Sequence, residues 1–319
     1  MNNPLLPFIQ QNGAFILDGG LATELEAWGC DLSDALWSAR LLRDDPDVIR
    51  RVHLAYYRAG ADCAITASYQ ASIPGFMAQG MTQVEAERLL QLSVELAMQA
   101  RDEFWADEAN RVGRLRPLVA ASVGPYGAYL ADGSEYRGDY ALDEAGLFAW
   151  HQPRWRLLAA AGADLLACET LPSFAEARAL ARLLQETPGR LAWFSFSCRD
   201  GQHISDGTPI AECAAYLDPF AQVTAVGVNC TPPRFIPTLI RELFQVTKKP
   251  NVVYPNSGEV YDIERKHWFG ESVPAEFGTF SREWRKLGAS CLGGCCRTRP
   301  AHIRQIRDRF RDKGTTDVG

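Results

Sequence analysis

Short runs of apolar or β-branched residues recur along this chain at positions 14–17, 63–67, 118–123, 165–168, 191–197, 223–228, 252–254 and 289–292. Most are apolar at successive positions rather than alternate ones, the pattern of parallel strands covered on both faces. Between them apolar residues take helical spacing, as at Val48, Ile49, Val52, Ala55, Tyr56 and Ala59. Asp45-Pro46 predicts a helix start, with aspartate as cap and proline at the first helical position. Thr82 with Glu85, and Ser173 with Glu176, have the spacing of capping boxes. The segment 280–287 is a further helix candidate ahead of the last run. Gly60-Ala61-Asp62, Gly162-Ala163-Asp164 and Gly288-Ala289-Ser290 each stand between a helix pattern and a strand pattern. Glycine there can end a helix in the left-handed conformation before the chain enters the strand.

Eight such alternations predict an α/β fold, a (β/α)8 TIM-type barrel built as a single domain over residues 1–319. A doubly wound open sheet is the alternative, weakened in its dinucleotide-binding form by the lack of a Gly-x-Gly-x-x-Gly after the first run. No low-complexity linker divides the chain. Residues 124–138, rich in Gly, Tyr and Asp, form the one long loop-like stretch, and loops of that length are commonly functional lids.

Composition narrows the function classes. A hydrophobic fraction of 47% with 23% charged residues is that of an ordinary soluble globular protein. A net charge of −6 and a pI near 5.5 argue against nucleic acid or an anionic membrane as the partner. The densest basic stretch, 304–313, is interleaved with Asp308 and Asp312 and reads as a solvated helix face. The first residues lack a signal-peptide pattern, and no run is long and apolar enough to span a bilayer. Nine cysteines without framework spacing fit reduced thiols and a cytoplasmic location. A monomer is the default expectation.

In a barrel of this kind chemistry collects at the C-terminal ends of the strands. Cys230 ends one run, and Cys295 and Cys296 follow the last. Three thiols there suggest a metal with one position left for a substrate; three buried packing residues are the other reading. Neighbouring cysteines do not suit a structural disulfide, since adjacent Cα atoms are about 3.8 Å apart. Gly293 and Gly294 let the backbone turn tightly before the pair. Soft thiolates select zinc among common metals. Cys291 lies roughly 13 Å back along the strand at about 3.3 Å per residue, so Cys198 is the better spare ligand. Cys30, Cys63, Cys168 and Cys213 read as packing residues. Asp18 and Glu169 end two further runs, either as a turn residue and a helix-cap neighbour or as paired anions for a substrate ammonium group. The amides of Gly19 and Gly20 can take a carboxylate. Tyr126, Tyr129, Tyr136 and Tyr140, with Asp132, Glu135 and Asp139, make the 124–138 stretch and its flank either an exposed loop or a lid that favours a cation.

Asp18-Gly-Gly-Leu-Ala-Thr-Glu-Leu, Ala64-Ile-Thr-Ala-Ser-Tyr-Gln, Ser122-Val-Gly-Pro-Tyr-Gly-Ala-Tyr-Leu, Cys168-Glu-Thr-Leu-Pro, Val228-Asn-Cys and Gly293-Gly-Cys-Cys-Arg, in this order, resemble the homocysteine S-methyltransferases. The motif-bearing core runs from about 14 to 310. The loop motif and Val252-Val-Tyr-Pro-Asn-Ser-Gly-Glu resemble the bacterial S-methylmethionine-dependent members. The resemblance implies a (β/α)8 barrel and Zn2+ held by Cys230, Cys295 and Cys296, with homocysteine thiolate at the open position; Cys198 is not a ligand in that family. It implies that Asp18 and Glu169 bind the homocysteine amino group, that the Gly19 amide, Thr66 and Ser68 help hold its carboxylate, and that Asn229 orients a ligand. The methyl donor is then a sulfonium, S-methylmethionine or S-adenosylmethionine. Methyl transfer from a different donor or to another thiol or selenol, and a non-catalytic zinc or thiol protein, are the alternatives.

Overall fold

All eight predicted runs are strands of one parallel sheet. The computed structural model describes residues 2–32, 37–262, 267–269 and 273–311; Asp312 and Lys313 of the basic stretch lie outside them. The strands are β1 (Phe15–Ile16), β2 (Cys63–Ile65), β3 (Leu118–Val123), β4 (Leu165–Leu171), β5 (Ala192–Phe196), β6 (Val223–Asn229) and β7 (Asn251–Tyr254). A short antiparallel ribbon follows, β8 (Val260–Asp262) and β9 (His267–Phe269), and then the last barrel strand, β10 (Ala289–Leu292). The sheet order is β1-β10-β7-β6-β5-β4-β3-β2. A parallel bridge between Leu17 and Cys63 joins its two ends and closes the ring. The (β/α)8 barrel is therefore observed, and the open sheet is not.

Both faces of the strands are covered, as their continuous apolar pattern requires. Alternate residues divide between two cores. Phe15, Leu17, Leu165, Ala167, Trp193, Val252, Tyr254 and Cys291 pack in the barrel interior, while Ile16, Leu166, Phe194, Val226, Val253 and Leu292 pack against the helices. The helix Leu6–Asn12, not foreseen from the sequence, joins the interior core through Phe8, whose ring meets Phe15 at 5.1 Å.

Two of the three predicted helix starts carry the expected caps. Asp45 accepts the Val48 amide at 3.3 Å, and Thr82 and Glu85 form a reciprocal capping box. Ser173 does precede the helix Phe174–Gln185, but it makes no side-chain cap. Glu176 is drawn away by the Tyr126 amide at 2.6 Å and by the buried His151 at 2.8 Å.

The three glycine joints behave alike, with φ of 120° at Gly60, 95° at Gly162 and 120° at Gly288. In two of them the aspartate that follows ties in a neighbouring strand. Asp62 Oδ2 accepts the Ile16 amide at 3.0 Å, and Asp164 Oδ2 accepts the Val119 amide at 2.8 Å. Asp62 is buried, so removing it leaves a strand amide without its acceptor. We expect Asp62→Ala to lower stability by about 1–3 kcal/mol, read as a lower urea midpoint with an unchanged slope. An unchanged midpoint would contradict this role.

Candidate metal and amino-acid site

The strand ends converge on three sulfur atoms. Cys230 follows β6 directly, and Cys295 and Cys296 lie in the turn after β10. Their Sγ atoms all lie within 4.8 Å of one another, with Cys230 and Cys296 at 3.5 Å. No other group of three His, Cys, Asp or Glu side chains meets that criterion among the described residues, so Cys198 and Cys291 stand apart from this cluster.

The turn is built from the residues the sequence singles out. A Cβ at Gly294 would come within 2.3 Å of Thr298 Oγ1, and one at Gly293 within 2.5 Å of the Leu17 side chain. Only glycine lets β10 pass so close to the end of β1. The Cys295 amide donates to Pro255 O at 2.8 Å, the Ser257 amide to Cys296 O at 3.1 Å, and the Cys230 amide to Tyr254 O at 3.3 Å. Cys230 itself sits at φ 50°, a left-handed conformation rare outside glycine. Without a cation the cluster keeps its protons. The Cys295 thiol is pushed well above its ordinary range by its hydrogen bond with Cys230 and then by burial. Three soft donors converging at this spacing could hold a metal ion.

Beside the thiols lie the two carboxylates. Asp18 and Glu169 are only 2% and 6% exposed, which would be costly for unpaired anions. Burial raises the Asp18 carboxyl well above the usual range, opposed by the Ile65 amide at 2.9 Å and assisted by the charge of Glu169. Burial lifts Glu169 to about 7, against hydrogen bonds from Ser122 at 2.5 Å and Tyr254 at 3.1 Å.

Asn229 links this part of the site to the sulfurs. Its Oδ1 accepts the Thr170 amide at 2.8 Å, and its Nδ2 donates to Thr170 Oγ1 at 2.7 Å and faces Cys295 Sγ at 3.9 Å. Thr170 has φ 57°, an uncommon value for a β-branched residue, and this double bond secures it. Thr66 and Ser68 are near neighbours, but their hydroxyls are already engaged. They bond each other at 2.7 Å, and Ser68 donates to Ser122 O at 2.8 Å. A ligand carboxylate claiming either hydroxyl would break one of these bonds. Of the two glycine amides, that of Gly20 donates to Thr298.

The 124–138 stretch is not an open loop. It folds as a short helix, Tyr126–Leu130, and a 3-10 turn, Ser134–Tyr136. Tyr126, Tyr129 and Tyr140 pack together and with Trp150 at centroid distances of 5.1–5.9 Å. Only Tyr136 of the four reaches the sulfurs, its hydroxyl 3.5 Å from Cys230 Sγ. Sequence reasoning did not single out Ser122, Tyr254 or Thr170. The alternation of inward residues along β3 and β7 is the signal that could have found the first two.

Comparison with known proteins agrees with this geometry. The family profile described as homocysteine S-methyltransferase matches residues 15–310. The chain is 54% identical to the homocysteine S-methyltransferase YbgG of Bacillus subtilis, over 98% of this chain and all of that one. It is 51% identical to the homocysteine S-methyltransferase of Escherichia coli, over 97% and 99% of the two. Among solved structures, the oxidized form of the E. coli homocysteine methyltransferase MmuM superposes with a TM-score of 0.88 at 48% identity, covering 97% of this chain and 100% of that one. Its metallated form gives 0.86 at 48% identity, covering 96% and 100%. A profile match across nearly the whole barrel, joined to identities above one half, means that the chain belongs to the homocysteine S-methyltransferase family, enzymes that methylate homocysteine.

Proposed function

We propose that this enzyme transfers a methyl group from a sulfonium donor, S-methylmethionine or S-adenosylmethionine, to homocysteine, and that Cys230, Cys295 and Cys296 hold Zn2+ for the purpose. The observation that carries this reading is the meeting of three thiols and a buried carboxylate pair at one rim of the barrel. A tetrahedral ion with bonds of about 2.3 Å to sulfur needs sulfurs about 3.8 Å apart, and this cluster has that scale. When bound, zinc lets the substrate sulfur bind as a thiolate at neutral pH, where a free thiol of pKa about 8.5 is mostly protonated.

The protein's own residues supply position and charge. Asp18 and Glu169 take the homocysteine ammonium, and the Gly19 amide lies beside them for its carboxylate. Tyr254 and Ser122 fix the Glu169 carboxyl, and Asn229 ties Thr170 to the side of Cys295. The nucleophile is thereby aimed before the donor arrives, which is where most of the rate advantage of a two-substrate reaction lies. The methyl carbon breaks its bond to a neutral thioether leaving group as it bonds to a thiolate. No proton moves in that step, so no residue is assigned as a general base. The buried rim keeps water from competing. Cys230, Cys295 and Cys296 are all free thiols, as metal ligation by them requires.

Two outcomes follow. Cys296→Ala loses zinc, measured by atomic absorption, and loses methyl transfer in parallel by on the order of 10²-fold or more; a zinc-free variant with full activity would refute the assignment. Glu169 supplies the second. Its value near 7 lies above the ordinary 4.5, so the proton is bound below pH 7 and lost as pH rises through it. The empty fold is correspondingly stabilised at low pH, and the site becomes able to pair with ammonium only above 7. L-Methionine has the same ammonium and carboxylate but no thiol. Its affinity, by calorimetry, should rise about tenfold from pH 6 to pH 8. In Glu169→Gln it should be weak and independent of pH over that range, and a wild type without the rise would contradict this role.

A further inference from the structure

The 124–138 segment and its flank carry three carboxylates, and two are engaged. Asp132 Oδ1 accepts the Ser134 amide at 2.9 Å, and Asp139 pairs with Arg137 at 3.2 Å. Glu135 differs. Its side chain is half-buried, and its Oε2 is fully enclosed with no hydrogen-bond partner among the described residues. Its backbone is held in place. Ser197 Oγ donates to Glu135 O at 3.2 Å, and Gly127 approaches so closely that a Cβ there would fall 2.4 Å from the Glu135 amide.

Two aromatic rings accompany it. Tyr136, the next residue, places its hydroxyl on Cys230 Sγ. The ring of Tyr69 lies against Gly124, where a Cβ would meet it at 2.8 Å. The charges of Glu135 and of Cys230 both bear on Tyr69 and on Tyr136, so the two rings lie within reach of the loop carboxylate and of the thiols alike.

We propose that Glu135 anchors the α-ammonium group of the methyl donor, with the rings of Tyr69 and Tyr136 flanking the donor's sulfonium. The assignment rests on the sulfonium-dependent function above. Two amino acids whose sulfurs meet across one methyl group need two ammonium sites, and the Asp18–Glu169 pair serves the acceptor. A buried carboxylate oxygen without a partner calls for an N–H or O–H donor. An ammonium brings three such hydrogens. A sulfonium brings none, and ring faces suit it instead. The ammonium keeps its charge throughout the transfer while the sulfonium loses its own. Glu135 therefore holds ground state and transition state equally, and its loss appears in KM for the donor rather than in kcat.

The test is Glu135→Gln, which keeps the shape and removes the charge. KM for S-methylmethionine should rise about tenfold or more, with a matching rise in its calorimetric Kd. The kcat at saturating donor, KM for homocysteine, zinc content and melting temperature should stay near wild type. Glu135→Asp should recover part of the affinity. Dimethylsulfoniopropionate, a sulfonium without an ammonium group, should bind wild type and variant equally, measured as donor or as competitor. Unchanged donor KM and Kd in the variant would overturn the assignment. So would an equal loss for both sulfonium compounds, or a loss confined to homocysteine. A wild type inactive with both S-methylmethionine and S-adenosylmethionine would refute the function proposed above and this assignment together; an active wild type with an unaltered variant refutes this assignment alone.

Discussion

Mutual repulsion among three sulfurs is the constraint on which the rest of the site depends. As thiolates, each pair near 4 Å would repel by about 4 kcal/mol at an effective dielectric of 20. Within 4.8 Å of one another they therefore need protons or a cation. The fold forces the approach through the main chain. Backbone bonds link the turn after β10 to residues 255 and 257, and Cys230 to Tyr254. Gly293 leaves out the side chain that would push β10 away from the end of β1, and Gly294 the one that would strike Thr298. The left-handed Cys230 is the local cost of aiming its sulfur at the pair.

The pleat that fills the barrel also delivers its polar groups. Along β4 the inward residues are Leu165, Ala167 and then Glu169; along β5, Trp193 and then Ser195; along β7, Val252 and then Tyr254. Each column passes from apolar to polar towards the C-terminal end. Tyr254 joins them, meeting Ser195 at 2.5 Å, Trp193 Nε1 at 3.2 Å and Glu169 at 3.1 Å. A buried network of this kind orders the site when its members are satisfied and is expensive when they are not. Asp18 and Glu169 are buried carboxylates tied to Ile65, Ser122 and Tyr254, and the proposed acceptor ammonium would offset their charge. The loop's remaining aromatics, with Trp150 and the Glu176–His151 pair, support the segment from which Tyr136 reaches Cys230.

Much of this was legible from residue order. All eight strands follow from their apolar runs, and β10 has the expected bounds, because double-sided burial leaves a strong continuous pattern. Cys230, Cys295, Cys296, Asp18 and Glu169 were found by asking which residues end those runs. What was missed depends on distance in space. The Ser173–Glu176 spacing resembles a cap, but Glu176 is claimed by Tyr126 and His151, 50 and 25 residues away. The four loop tyrosines look equivalent in sequence, yet Tyr126 packs with Tyr129, Tyr140 and Trp150, and only Tyr136 of the four reaches the sulfurs. The resemblance implies that Thr66 and Ser68 help hold a carboxylate, while Ser122 of β3 already bonds both.

Zinc K-edge X-ray absorption with and without homocysteine tests the central claim most directly. The account predicts three sulfurs near 2.3 Å and one lighter ligand before homocysteine is added, and four sulfurs afterwards. An unchanged sulfur count, or four protein sulfurs already present without substrate, would contradict it.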